Sequence, residues 1–204
     1  MKPKCSVYMG SSLDGFIARN DGGIDWLNFD SPNERSNDER GNDERGNDDS
    51  GVEDSDSEDY GFAEFMESVD LLLMGRHTFE LVLTFDEWIY GDTHVTVLSS
   101  TLGPEAIPAH MEGRVSITSG DPAEILEELA EKGVQHVYVD GGITVQEFIA
   151  AGLIDEITIG IIPVLIGEGI PLFGPLEGDV PLEHIATRSF PNGLVQVKYR
   201  TLSP

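Results

Sequence analysis

The chain has 204 residues, enough for one domain with a sizeable core and too few for two comfortable ones. Its 38 Asp and Glu against 12 Lys and Arg give a formal net charge of -26, which excludes nucleic acid and anionic membranes as partners, because phosphate affinity needs clustered bases. The single cysteine, Cys5, excludes an intrachain disulfide and suits a reducing interior; inside an apolar run it reads as a small buried hydrophobe.

In chain order, alternation and apolar runs predict strands over residues 5–9, 71–74, 94–98, 115–117, 134–139 and 156–161, interleaved with helical patterns, which is the signature of an α/β sheet with crossover helices. Residues 31–59 interrupt this order with an almost wholly polar tract that repeats an Asn-Asp-Glu-Arg-Gly unit, expected to be a disordered surface insertion within one domain spanning 1–204. Residues 30–59 hold 13 acids and 3 bases. The remainder, with 25 acids and 9 bases, still carries -16. Such self-repulsion fits a cytoplasm of high salt, where the Debye length falls towards ~3 Å at molar concentration. The presence of only four lysines agrees with a halophile's surface. No stretch approaches the ~20 apolar residues of a membrane span, so a cytoplasmic protein is expected.

Asp121-Pro122-Ala123-Glu124 opens a helix with an N-cap acceptor and a proline at its first position, and Gly133 closes it. Thr144-Val145-Gln146-Glu147 reads as a capping box opening a second helix that Gly152 ends. After Pro163 the helical pattern stops. Runs over 184–190 and 194–200 flank Pro191-Asn192-Gly193, the turn of an antiparallel hairpin.

Ligands of open α/β sheets sit beyond the carboxyl ends of strands, which selects three loops. In Met74-Gly75-Arg76-His77-Thr78 a buried strand turns through glycine into a helix, whose free amides and Arg76 suit a phosphate; a plain turn capped by Thr78 reads equally well. Ser99-Ser100-Thr101 offers hydroxyls after the next strand, although such residues also form ordinary turns. Asp140-Gly141-Gly142-Ile143-Thr144 brings paired glycines to a positive helix end. No GxGxxG occurs, so a Rossmann fingerprint is absent, and five scattered histidines with one cysteine build no zinc cluster.

Met74-Gly75-Arg76-His77-Thr78 resembles the adenosine-phosphate loop of dihydrofolate reductases. Ser12-Leu13-Asp14-Gly15-Phe16-Ile17-Ala18, Gly141-Gly142 leading into Phe148-Ile149-Ala150-Ala151-Gly152-Leu153-Ile154-Asp155-Glu156, and Pro163-Val164-Leu165-Ile166-Gly167-Glu168-Gly169-Ile170-Pro171-Leu172-Phe173 are similar to the reductase domain of riboflavin biosynthesis, the RibD C-terminal family. The acidity suggests a haloarchaeal member. The resemblance covers the chain except the acidic insertion.

It implies a three-layer αβα fold of the dihydrofolate reductase type, with a mostly parallel mixed sheet and a C-terminal antiparallel hairpin. It also implies NADPH as cofactor, with Gly75, Arg76, His77 and Thr78 holding phosphates, Ser99 and Ser100 near the 2′-phosphate, and Gly141, Gly142, Ile143 and Thr144 cradling the pyrophosphate. The nicotinamide would face the loop of Asp14. The activity implied is hydride transfer to a small C=N or C=O substrate, giving a CH-NH or CH-OH product. Phe16 stands where the riboflavin-pathway reductases usually carry a base, so a phosphorylated sugar is less favoured. Counting back without gaps places Asp59 at the catalytic carboxylate of folate reductases, and Asp25-Trp26 could wall the substrate pocket. The diaminopyrimidine-phosphate reductase of riboflavin synthesis and a non-catalytic nucleotide-binding protein are the competing readings. A homodimer is suggested by the resemblance and by the apolar run 157–166 followed by an exposed-looking hairpin.

Overall fold

The computed structural model describes residues 1–27 and 59–202; of the predicted acidic insertion only Asp59 falls among them. The chain runs β1 (Lys4–Ser12), β2 (Phe16–Ala18), a single 3-10 turn (Asp25–Leu27), α1 (Phe62–Glu67), β3 (Leu71–Gly75), α2 (Arg76–Val82), β4 (His94–Leu98), β5 (Val115–Thr118), α3 (Pro122–Glu131), β6 (His136–Asp140), α4 (Gly142–Ala150), β7 (Glu156–Ile162), β8 (Ile170–Pro171), β9 (Leu182–Ser189) and β10 (Val195–Thr201).

Leu71-Leu72-Leu73-Met74 explains the layering. In a strand, successive side chains leave opposite faces. Leu71 and Leu73 enter one core with Leu126 of α3 and Phe148 of α4, while Leu72 and Met74 enter another with Phe79 of α2 and Tyr138. Each fully buried Leu contributes roughly 1.5 to 3 kcal/mol, so double-sided burial fixes β3 at the centre of the fold. The main sheet has the order β5-β4-β3-β6-β1-β7-β10-β9. Its first six strands are parallel, and β10 and β9 close it antiparallel. A two-stranded sheet pairs β2 with β8.

Three expectations change. Strand β1 continues to Ser12, because Gly10, Ser11 and Ser12 keep pairing with Gly160, Ile161 and Ile162. Helix α4 starts at Gly142 rather than after Thr144, so the capping box does not form: Gly141 is the N-cap and supplies no side-chain acceptor. Thr144 is buried in the first turn instead. The apolar run 157–166 is exposed only at Pro163 and Leu165. Ile157, Ile159 and Ile162 of β7 lie in the cores, between β1 and β10, and it is β9 whose eight residues are all exposed. Asp121, by contrast, caps α3 as expected, its Oδ1 accepting the Ala123 amide at 2.8 Å.

Candidate cofactor and substrate site

Strands β3 and β6 are parallel neighbours, with Met74 opposite Asp140, and each passes through glycine directly into a helix. Their turns therefore interlock. Gly141 has φ +90, where L side chains are strained, and a Cβ there would collide with the Thr78 hydroxyl. A Cβ on Gly75 would stand 2.8 Å from Thr144 Oγ1, and one on Gly142 would stand 2.9 Å from Ile17 Cδ1. Helix α4 makes its first backbone bond from Val145 to Gly141, leaving the amides of Gly142, Ile143 and Thr144 without helical acceptors at a positive helix end. The Gly141 amide is engaged already, donating to Asp140 Oδ1 at 2.8 Å.

Arg76, the first residue of α2, donates from Nε to Glu80 Oε1 at 2.8 Å and from Nη1 to Thr101 Oγ1 at 3.1 Å. Thr101, rather than Ser99 or Ser100, is its partner in the neighbouring loop. The Ser99 hydroxyl accepts the amides of Thr101 and Leu102 and so holds that loop, and Ser100 is exposed. His77 points outward with 86% of its side chain exposed, and Ile143 is also exposed.

The two candidate proton donors are both engaged as anions. Asp14 accepts the amides of Ile166 at 3.3 Å and Gly167 at 2.8 Å; the Ser12 hydroxyl, followed by these amides, holds its carboxyl below the usual range. Asp59 accepts the amides of Gly61 and Ala63, which cap α1 and lower its carboxyl in the same way. Asp25 forms a two-pronged ion pair with Arg19 at the surface. Trp26 is buried against Ile162 and Leu194. Phe16 lies in β2, its amide donating to Ser12 Oγ.

A cavity of about 160 Å³ opens on the sheet face beyond these residues, lined by Gly10, Leu27, Gly160 and Ile162 and by four polar side chains, Tyr8, Tyr60, Asn192 and Gln196. None of Asp14, Phe16, Asp25, Trp26 or Asp59 lines it. Trp26 instead backs the wall through Ile162 and Leu194. The polar quartet went unrecognised in the sequence because its members lie 132 and 188 positions apart where they bond.

A mostly parallel mixed sheet in this order, closed by an antiparallel C-terminal pair, defines a dihydrofolate reductase-like α/β protein. Over 98% of the chain superposes on a dihydrofolate reductase of Enterococcus faecalis complexed with NADP(H), which is 97% covered, at a TM-score of 0.59 and 18% identity, a likeness of fold alone. The chain belongs to the RibD C-terminal domain family, whose model matches residues 3–196. A Shewanella sp. PV-4 protein assigned to riboflavin biosynthesis is similar over the whole of both chains, with a TM-score of 0.81 and 34% identity. An uncharacterised Bacillus subtilis protein, YwjB, is 28% identical over 98% of each chain. These relatives are bacterial, so the haloarchaeal placement finds no support among them.

Proposed function

We propose that the chain is an NADPH-dependent reductase that passes a hydride to a C=N or C=O group of a small molecule. The observation that carries this reading is the interlocked pair of turns at Gly75 and Gly141, where no Cβ fits and where three helix-start amides lack helical acceptors. The amides of Gly142, Ile143 and Thr144 would hold the pyrophosphate, and Gly75 and Thr78 would complete its cradle. Arg76, steadied by Glu80 and Thr101, would take the 2′-phosphate, with Ser99 fixing the loop and Ser100 and His77 at its rim. Bound there, NADPH supplies the hydride. The chain's own residues would orient the substrate in the cavity lined by Tyr8, Tyr60, Asn192 and Gln196.

The cavity lining carries no charged side chain, which supports a substrate whose reacting part is neutral over the riboflavin-pathway phosphate as the group bound there. We further propose one reductase domain over 1–204, a cytoplasmic location, a salt-adapted surface, and a homodimer formed through the exposed edge strand β9. Among the described residues no helix is long and apolar enough to cross a membrane. The test is a titration of NADPH and NADH followed by a scan for NADPH oxidation at high salt with dihydropterin, the riboflavin intermediate and simple carbonyls. Absence of NADPH binding would sink the reading.

A further inference from the structure

We propose that Tyr60 is the catalytic proton donor of this site and that Asn192 is its positioning residue; this rests on the reductase reading. Hydride transfer to a C=N or C=O needs a proton for the heteroatom, and the two candidate carboxylates lie outside the cavity with their oxygens accepting backbone amides.

The donors that line the cavity can be followed one by one. Tyr8 gives its hydroxyl proton to the Tyr60 carbonyl at 2.6 Å. Gln196 Nε2 donates to the Tyr8 hydroxyl at 2.7 Å and to the Tyr60 carbonyl at 3.0 Å. Asn192 Nδ2 donates to the Tyr60 hydroxyl at 2.7 Å, while Asn192 Oδ1 accepts the Leu194 amide at 3.1 Å and so fixes which way its amide faces. The Tyr60 oxygen is thus an acceptor towards Asn192, and its own proton has no acceptor among the described residues.

Backbone geometry points the same way. Tyr60 has φ 55 and is the only non-glycine residue among those described with a positive φ, a conformation that costs on the order of 1 to 3 kcal/mol and gathers at functional sites. Two hydrogen bonds to its carbonyl hold it there, and its ring meets Phe190 edge-on at 4.9 Å. Tyr60 lines the same cavity as Gly10 and Gly160.

The step balances. The substrate carbon gains the hydride and forms a C–H bond, the C=N or C=O π pair moves to the heteroatom, and that atom takes the Oη proton of Tyr60. The phenolate left behind is re-protonated by water. NADPH is oxidised and the substrate reduced.

The experiment compares wild type with Tyr60→Phe, which keeps the ring against Phe190, and with Asn192→Leu. NADPH affinity is measured by fluorescence, and turnover is measured with dihydropterin and benzaldehyde as C=N and C=O probes. Tyr60→Phe is expected to lower kcat by ~100-fold or more, with KM within about threefold and NADPH affinity unchanged. The slowing of wild-type turnover in heavy water should vanish in this variant. Asn192→Leu should lose roughly tenfold in kcat and keep the heavy-water effect. A Tyr60→Phe enzyme within about threefold of wild-type kcat overturns the proposal, as does a loss of NADPH affinity that accounts for the fall. NADPH bound but oxidised with neither probe also removes it. NADPH not bound at all removes the reductase reading beneath it.

Discussion

The Tyr90 hydroxyl donates to Oδ2 of Asp140 at 2.9 Å, while the other carboxylate oxygen accepts the Gly141 amide, so a loop fifty residues upstream braces the turn that opens α4. Burial pushes the Asp140 carboxyl above its ordinary range, and the bonds from Tyr90 and Gly141 oppose that rise. A raised carboxyl binds its proton more tightly in the folded chain than in the unfolded one. Its contribution to stability is therefore greatest in acid and is lost as pH rises through the folded value. Tyr90→Phe removes a donor that favours the anion and should destabilise the fold by about 1 to 3 kcal/mol at neutral pH. The loss should shrink as pH falls and the carboxyl takes up its proton. Urea unfolding at neutral and at lower pH checks this; an equal loss at both would show that Tyr90 acts through packing alone.

Gly141→Ala tests the interlocked turns. The residue sits at φ +90, and a Cβ would meet the Thr78 side chain, so strain and collision act together. The variant should lose roughly 1 to 3 kcal/mol of stability. Where it still folds, it should lose NADPH affinity, because Thr78 and the α4 amides must shift. Thermal unfolding and an NADPH titration measure the two effects. Wild-type values in both would mean that the turn is not tightly held.

Most of the fold was legible because its signals are local. The Leu71 to Met74 run, the Asp121-Pro122 helix start and the Asn192-Gly193 turn each act within a few residues, and each formed an element at the predicted place. The Gly75 and Gly141 turns were visible as glycines at strand ends, although only the sheet order shows that they are neighbours. The start of α4 differs from the expectation because Thr144 and Glu147 satisfy a capping pattern that tertiary packing overrides: the Thr144 hydroxyl lies against Gly75, and Gly141 is the N-cap. Strands β2 and β8 are three and two residues long, too short for any periodicity. The gapless count that selected Asp59 stopped one residue before Tyr60, which does line the cavity. Its partners Asn192 and Gln196 come from the far hairpin, and no spacing rule joins them.

Salt dependence follows from charge. The chain outside residues 30–59 carries -16, and most of its ion pairs, such as Arg19 with Asp25 and Arg114 with Asp92, lie at the surface, where each contributes little. Self-repulsion then dominates the electrostatics, and screening it should stabilise the fold. The melting temperature should rise from millimolar to molar potassium chloride. An unchanged melting temperature across that range would contradict the salt-adapted reading.

Arg76→Ala gives the sharpest test of cofactor choice. Arg76 opens α2, is bonded to Glu80 and to Thr101, and is one of the few cations in a strongly acidic chain. Glu80 neutralises part of its charge, but the Thr101 contact shows that the guanidinium reaches the loop after β4, where a 2′-phosphate would lie between the two turns. A hydrogen bond to a charged group contributes roughly 1.5 to 3 kcal/mol, so the variant should bind NADPH about one to two powers of ten more weakly. NADH, which lacks that phosphate, should bind with nearly wild-type affinity. Removing Arg76 also frees Glu80, whose negative charge would then repel the phosphate, so the loss should be largest at low ionic strength and smaller in molar salt. Titrations of both cofactors at one fixed salt concentration, repeated at a second, separate these effects. Equal weakening of NADPH and NADH, or none of either, would take Arg76 out of the phosphate site and leave the preference for NADPH without a residue to carry it.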